Sequence, residues 1–206
     1  MSLLSVALGS ARTYLNDDAA QVWSDAALIP KLQEAHRELQ IKLWEVNSPV
    51  VRKQSIEFLI SAGATTLTTP PADMLTPFKL VEYASIGETL VNAVDMTEQN
   101  FLPTGTPISN KLVWWSWKEE LITFLGATVD RKVVVYYRKS IPVPASAGDP
   151  IGILFGELYL GARAGAIAHG SVGNKDAYGI MTALAADNFS KVVAAQRGQQ
   201  TPPYKP

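Results

Sequence analysis

The sequence contains no cysteine and only two histidines, and its 18 Lys and Arg residues nearly balance 19 Asp and Glu residues. Without cysteine, the chain forms no disulfides, thiolate metal sites or cysteine nucleophiles. The formal net charge is -1, and no cluster of Lys and Arg appears. Both observations argue against a dedicated nucleic-acid-binding protein, because neutralising phosphates requires clustered cations.

The remaining candidates for catalysis or metal binding are isolated residues, each explained by its place in a predicted helix or turn. His36 is expected in solvent on the polar side of a helix, and His169 near a helix end, where the dipole favours a cation. Glu119 and Glu120 are predicted to share a turn, where both carboxylates face water instead of forming an acid–base pair. Segment 170–175 lacks the spacing of a phosphate-binding loop. We therefore predict no catalytic residues, no cofactor, no metal and no enzymatic activity.

The first fifty residues predict two amphipathic helices joined by a loop. The first helix carries an apolar stripe at four-residue spacing and ends at the polar run 16–18. Ser24 is a suitable N-cap for the second helix, with Asp25 in its first turn. Pro30 predicts a kink or a separate first turn, because proline removes a backbone donor. Apolar residues recur at helical spacing along the second helix: Leu28, Leu32, Ala35, Leu39 and Leu43.

Short runs of β-branched and aromatic residues predict a β-rich segment in the middle of the chain. These runs are 54–60, 65–69, 78–83, 112–117, 121–125 and 132–137. The last three, separated by turn residues, predict an antiparallel meander. Residues 85–110 are predicted to form a long excursion, with one or two helical turns within 94–101. Trp114, Trp115 and Trp117 favour either core packing or a contact between subunits, where aromatic residues are enriched.

Two further helices are predicted after the β-rich segment. The first covers 150–169, with Asp149 as its cap and Pro150 in its first position. The second begins at 174 or 175 and ends near 196. The last ten residues, 197–206, are rich in proline and predict an extended tail.

Residues 151–170 are long enough to test a membrane-spanning interpretation. Glu157 and Arg163 lie in their interior, and each would cost about 2.5–3.5 kcal/mol at mid-bilayer. A helix buried against protein is therefore favoured. Its small residues, Gly161 and Gly165 among them, predict close packing against a helix of the bundle or of a neighbouring subunit.

These elements predict an α+β fold. Its N- and C-terminal helices form a small helical bundle, with an inserted antiparallel β-rich subdomain and an extended C-terminal tail. The predicted boundaries are 1–50 and 146–196 for the bundle helices, 51–145 for the β-rich insert and 197–206 for the tail. A length of 206 residues, with 47% hydrophobic residues, allows one packed domain with an insertion.

Several short motifs follow one another in a specific order along the chain. The first helix, the loop and the second helix contain Ala11-Arg12, Leu15-Asn16-Asp17, Trp23-Ser24-Asp25, Leu28, Leu32, Glu34-Ala35 and Arg37. A glycine turn follows at 63–70, then a β-meander at 117–135 and an alanine-rich helix pair. In this order the motifs resemble those of tailed-bacteriophage head-to-tail adaptor proteins, also called connector or head-completion proteins. The sequence differs from the family pattern at Gln33, where that family often has Asn.

The resemblance implies a structural virion protein at the head–tail interface, made in the cytoplasm of the host bacterium. It implies a homo-oligomeric ring, usually a dodecamer, which lies below the portal, extends the DNA channel and provides the docking surface for the tail. Its partners would be the portal protein and tail or nozzle proteins. DNA would pass through the channel without sequence-specific binding, and no membrane would be involved.

The resemblance also implies that the C-terminal tail reaches the portal. The portal-binding residues would then be Arg197, Gln199, Thr201, Pro202, Pro203, Tyr204 and Lys205. Within the ring, subunits would meet head to tail, so that closure sets the copy number. We assign inter-subunit packing to Trp114, Trp115, Trp117, Gly161 and Gly165.

Three other interpretations stay open. Another tail structural subunit, such as a tail terminator or tube-like protein, would be dominated by β-structure and would lack two long C-terminal helices. An enzyme with an unrecognised site would need convergent acid, base, nucleophile or metal-ligating residues, which the sequence does not show. A membrane-associated scaffold would rest on residues 151–170 alone.

Overall fold

A computed structural model describes residues 2–83, 91–98 and 109–198. The α+β class is confirmed: four helices and two mainly antiparallel sheets are present in these residues. The chain divides into two compact units. We call Met1–Val51 with Ile141–Pro206 the helical unit, and Arg52–Ser140 the β unit.

The described residues of the helical unit form four α-helices and one short 3-10 turn at Pro49–Val51. The helices are α1 (Leu4–Tyr14), α2 (Asp25–Glu45), α3 (Gly156–Ser171) and α4 (Lys175–Gly198). The Ser24 side chain accepts a hydrogen bond from the Ala27 backbone N–H, so the predicted N-cap of α2 is confirmed. The predicted leucine stripe of α2 is also confirmed: Leu28, Leu32, Leu39 and Leu43 are fully buried.

Two predicted features of these helices differ from the structure. Pro30 lies inside one continuous helix, so the first turn of α2 is not separate; its ring removes one hydrogen bond, the one to the carbonyl of Ala26. The third helix begins at Gly156 and not at Pro150. Phe155 adopts a left-handed backbone with φ 57°, which interrupts helical geometry, and Pro150 instead forms an antiparallel bridge with Leu3.

The described residues of the β unit contain nine strands, which form two sheets. The first has the order β1-β9-β4-β5, with β2 also paired to β9, and the second has the order β3-β8-β7-β6. Only β6 and β7 pair in parallel among the described strands. The strands are β1 (Arg52–Gln54), β2 (Phe58–Ile60), β3 (Thr66–Leu67), β4 (Met74–Tyr83), β5 (Val91–Asn92), β6 (Val94–Asp95), β7 (Trp114–Lys118), β8 (Leu121–Phe124) and β9 (Arg131–Lys139).

The predicted meander is correct only for its first two strands. β7 and β8 form a hairpin, but β9 crosses to the other sheet and pairs with β4 over most of its length. The predicted run 54–60 is two strands, because Ser55 exchanges hydrogen bonds with Val135 and breaks the ladder. Within the predicted helical stretch 94–101, Val94–Asp95 is a strand. Residues 85–90 and 99–108 of the predicted excursion lie outside the described residues.

Candidate functional site

The junction between α1 and α2 is held by Arg12, which is 9% exposed. Its guanidinium donates to the Trp23 carbonyl oxygen at 2.8 Å and forms an ion pair with Asp25 in the first turn of α2. A planar guanidinium with several fixed donors suits this bridging position better than lysine would. Arg12 therefore fixes the end of one helix against the beginning of the next.

Asp17 orders the loop between these two helices. Its carboxylate accepts hydrogen bonds from the backbone N–H groups of Gln21, Val22 and Trp23, at 2.8, 3.0 and 2.6 Å. The Val22 N–H, supported by the other two N–H groups and by Arg12, lowers the pKa of the Asp17 carboxyl. The residues of the opening motifs thus converge in one network, which we call the junction network: Arg12, Asp17, Trp23, Ser24 and Asp25.

Three neutral polar residues of α2 bind the segment by which the chain re-enters the helical unit. Gln40 both donates to the Ile141 carbonyl oxygen and accepts from the Ile141 N–H, at 2.7 and 3.0 Å. Gln33 donates to the Pro144 carbonyl oxygen at 3.0 Å. The third residue is His36, whose Nε2 lies 3.0 Å from the Ile151 carbonyl oxygen.

The prediction that His36 is solvated was therefore wrong. The residue is 0% exposed, and burial lowers the pKa of its imidazole. A neutral imidazole that binds a main-chain carbonyl and neighbours Gln40 has a structural role. The sequence does carry a signal for this face. Gln33, His36 and Gln40 are neutral polar residues at i, i+3 and i+7, on a helix whose other polar residues are charged.

A groove of about 420 Å³ lies between α2, α3 and α4. Arg163 and Glu38 both line it, and Arg163 donates two hydrogen bonds to Glu38, at 2.6 and 2.8 Å. This pairing lowers the pKa of Glu38 and raises that of Arg163. Burial and the Glu38 charge raise the pKa of Tyr159 to about 12.

These groove groups are poorly suited to acid–base chemistry at neutral pH. Tyr159 stays protonated, and the charges of Glu38 and Arg163 neutralise each other in a bidentate pair. Tyr178 is the one tyrosine of the groove whose pKa is lowered, through its hydrogen bond with Arg163. The groove is consequently better described as a structural contact between three helices.

The small residues of α3 pack within their own subunit. A Cβ added to Gly161 would lie 2.6 Å from the Ser10 Cβ of α1, and one added to Gly165 would lie 3.5 Å from the Tyr14 Cβ. The assignment of both glycines to inter-subunit packing is therefore corrected, because α1 and α3 of one chain approach closely there. Among the described residues, no helix is long and apolar enough to cross a membrane.

The three clustered tryptophans have different environments. Trp115 is 1% exposed and belongs to the core of the β unit, so its assignment to a subunit interface is also corrected. Trp114 and Trp117 are half-buried, and their inter-subunit role stays a prediction. Arg197 lies in the last turn of α4 and not in an extended tail. The other predicted portal-binding residues, numbers 199–205, lie outside the described residues.

The described part of the chain holds no group of three or more His, Asp or Glu residues arranged to bind a metal. Glu119 and Glu120 form the two-residue turn between β7 and β8, with φ of 49° and 61°. His169 lies in the last turn of α3, as predicted. The chain matches no protein-family model and no curated protein.

Proposed function

We propose that this protein is a structural virion component, the subunit of a head-to-tail adaptor. The subunits assemble as a ring below the portal, and in the family that the chain resembles this ring is a dodecamer. In this role it extends the DNA channel and offers a docking surface to the tail. The observation that carries the proposal is the junction network. Five residues on which the resemblance rests lie together where α1 is joined to α2: Arg12, Asp17, Trp23, Ser24 and Asp25.

The balance of secondary structure favours an adaptor over a tail-tube or tail-terminator subunit. The described residues are 41% helical and 23% strand, and α4 alone has 24 residues. Tail subunits of the competing class are expected to be dominated by β-structure. A non-enzymatic role is supported by the groove, where the ionisable groups are paired or held protonated.

Electron microscopy of the purified protein, alone and mixed with its portal, tests the proposal directly. We expect rings with a central hole, either in the protein alone or only on the portal. A protein that stays monomeric with and without the portal would refute the adaptor assignment. Mass photometry of the same samples would give the copy number of the ring.

The portal-binding role of the C-terminal tail requires a separate test. Truncation after Gly198 leaves α4 intact and removes residues 199–206. We expect the truncated subunit to fold and to lose portal binding in a pull-down. A variant in which the same eight positions are filled by Gly and Ser separates the loss of specific side chains from the loss of length. Unchanged portal binding by both variants would show that the tail is not the portal contact.

A further inference from the structure

One face of the five-stranded sheet of the β unit carries an unusual concentration of positive charge. Side chains of β9 alternate: Arg131, Val133, Val135 and Tyr137 are buried, whereas Lys132, Val134, Tyr136 and Arg138 are partly exposed. Strand register places Arg52 beside Arg138, Lys79 beside Tyr136 and Tyr83 beside Lys132 on this second face. We call it the outer face and define its charged and aromatic residues as Arg52, Glu57, Phe78, Lys79, Tyr83, Lys132, Tyr136 and Arg138.

The outer face differs in charge from the unit that carries it. Residues 52–140 contain nine Lys and Arg and nine Asp and Glu residues, which gives a formal charge of zero. Among the described residues, the outer face holds four cations and one carboxylate, which is a formal charge of +3. A face that serves only solubility normally mixes both signs. The average charge of the chain conceals this segregation.

Three of the four cations of the outer face, Arg52, Lys79 and Lys132, lie over aromatic rings. Arg52 is 5.4 Å from the centroid of Phe78, Lys79 is 5.4 Å from that of Tyr136, and Lys132 is 6.0 Å from that of Tyr83. These contacts restrain the charged groups above the sheet. They also occupy ring faces on which the bases of a single strand would otherwise stack. The arrangement therefore favours contact with phosphates over contact with bases.

We propose that the outer face binds the phosphate backbone of duplex DNA without reading its sequence. From Arg138 to Lys132 the face extends six residues along β9, about 20 Å at roughly 3.3 Å per residue. Duplex DNA carries one charge per about 1.7 Å, so a stretch of that length presents on the order of twelve phosphates. Lys132 is paired with Glu57 at 2.7 Å, which leaves the Arg52 and Lys79 end as the stronger part of the site. The proposal goes beyond the adaptor function, because it applies to an isolated subunit.

Fluorescence anisotropy of the full-length protein with labelled 20-base-pair duplexes of two unrelated sequences tests this proposal. We expect equal affinity for both duplexes and a slope of log K against log salt of about -2 to -3, as for two or three phosphate contacts. Lys79→Gln should reduce the magnitude of that slope by about one. The double variant Arg52→Glu with Lys79→Glu should abolish DNA binding even at the lowest salt concentration of this series.

The matched control for the double variant is Arg37→Glu with Lys175→Glu, which reverses the same two charge types on exposed residues of α2 and α4. Equal loss of binding in this control would overturn the proposal, since the effect would then reflect net charge alone. Tighter binding of a single strand than of the duplex would also overturn it. So would equal competition by polyglutamate at matched charge, which would indicate an acidic protein partner. Ring formation is measured independently, so failure of DNA binding leaves the adaptor proposal testable.

Discussion

Replacement of Gly161 by alanine is expected to destabilise the helical unit, whereas the same replacement at Gly9 is expected to stabilise it. α3 crosses α1 at Gly161, where a new Cβ would lie 2.6 Å from the Ser10 Cβ and 3.3 Å from the Ala7 carbonyl oxygen. Both contacting atoms belong to or adjoin the backbone of α1, so one helix must move. Gly9 is exposed in the middle of α1, and a Cβ there has no neighbour within 4 Å.

The two variants share one energetic term and differ in another. Alanine gains about 1 kcal/mol over glycine in a helix interior at either position. Overpacking adds a cost of roughly 1–3 kcal/mol at Gly161 only. The free energy of unfolding should therefore be about 1–3 kcal/mol lower for Gly161→Ala than for Gly9→Ala.

Urea unfolding followed by circular dichroism at 222 nm measures this difference, since the helices dominate the signal there. Gly179→Ala on α4 is a second control, because its Cβ would also meet open space. Ser10→Gly removes the closest contacting atom and should rescue part of the Gly161→Ala loss, with a coupling energy above about 0.5 kcal/mol. If Gly161→Ala were as stabilising as Gly9→Ala, the close approach of α1 and α3 would be refuted.

Three further predictions concern Asp17, His36 and the turn at Glu119 and Glu120. The folded-state pKa of Asp17 lies below its ordinary value of 3.8, so its stabilisation is complete above that pH and is lost as the pH falls. Asp17→Asn should weaken the fold at neutral pH and flatten acid unfolding below about pH 4. The folded-state pKa of His36 lies below 6.5, so the wild type should lose stability as the pH falls below that value. Urea unfolding at pH 7.5 and 5 measures this loss of unfolding free energy, and His36→Gln should remove it. Glu119→Asn with Glu120→Gly should raise the free energy of unfolding of the β unit by about 1 kcal/mol, because Asn-Gly suits a turn whose two residues have left-handed backbone. The thermal midpoint of the β unit should rise accordingly. An unchanged midpoint would contradict the assigned turn.

Features specified by neighbouring residues were predictable from the sequence. The Ser24 cap involves an N–H only three residues away, and the stripe from Leu28 to Leu43 follows from helical periodicity alone. The turn at Glu119 and Glu120 lies between two β-type runs that pair directly with each other. Each of these features depends on contacts within a few residues.

Pairing between distant strands was not predictable in the same way. β8 and β9 are both rich in β-branched and aromatic residues, so this enrichment gives no reason to choose β4 instead of β8 as the partner of β9. β4 lies about fifty residues earlier in the chain than β9. A fully buried ion pair joins the two strands, between Glu82 of β4 and Arg131 of β9. Only the folded structure shows that these two charges meet, and their burial unpaired would be costly. The charge segregation of the outer face was concealed for the same reason, since its residues come from separate strands.

The polar face of α2 shows how the helical unit accommodates a long insertion. Gln40 binds both main-chain groups of Ile141, the first residue after the β unit. His36 and Gln33 continue this pattern along the segment that follows. All three residues bind backbone atoms, so they specify the path of the returning chain without requiring particular side chains in it. The register of the returning segment is thus set by α2, which is itself positioned by Arg12 and the junction network.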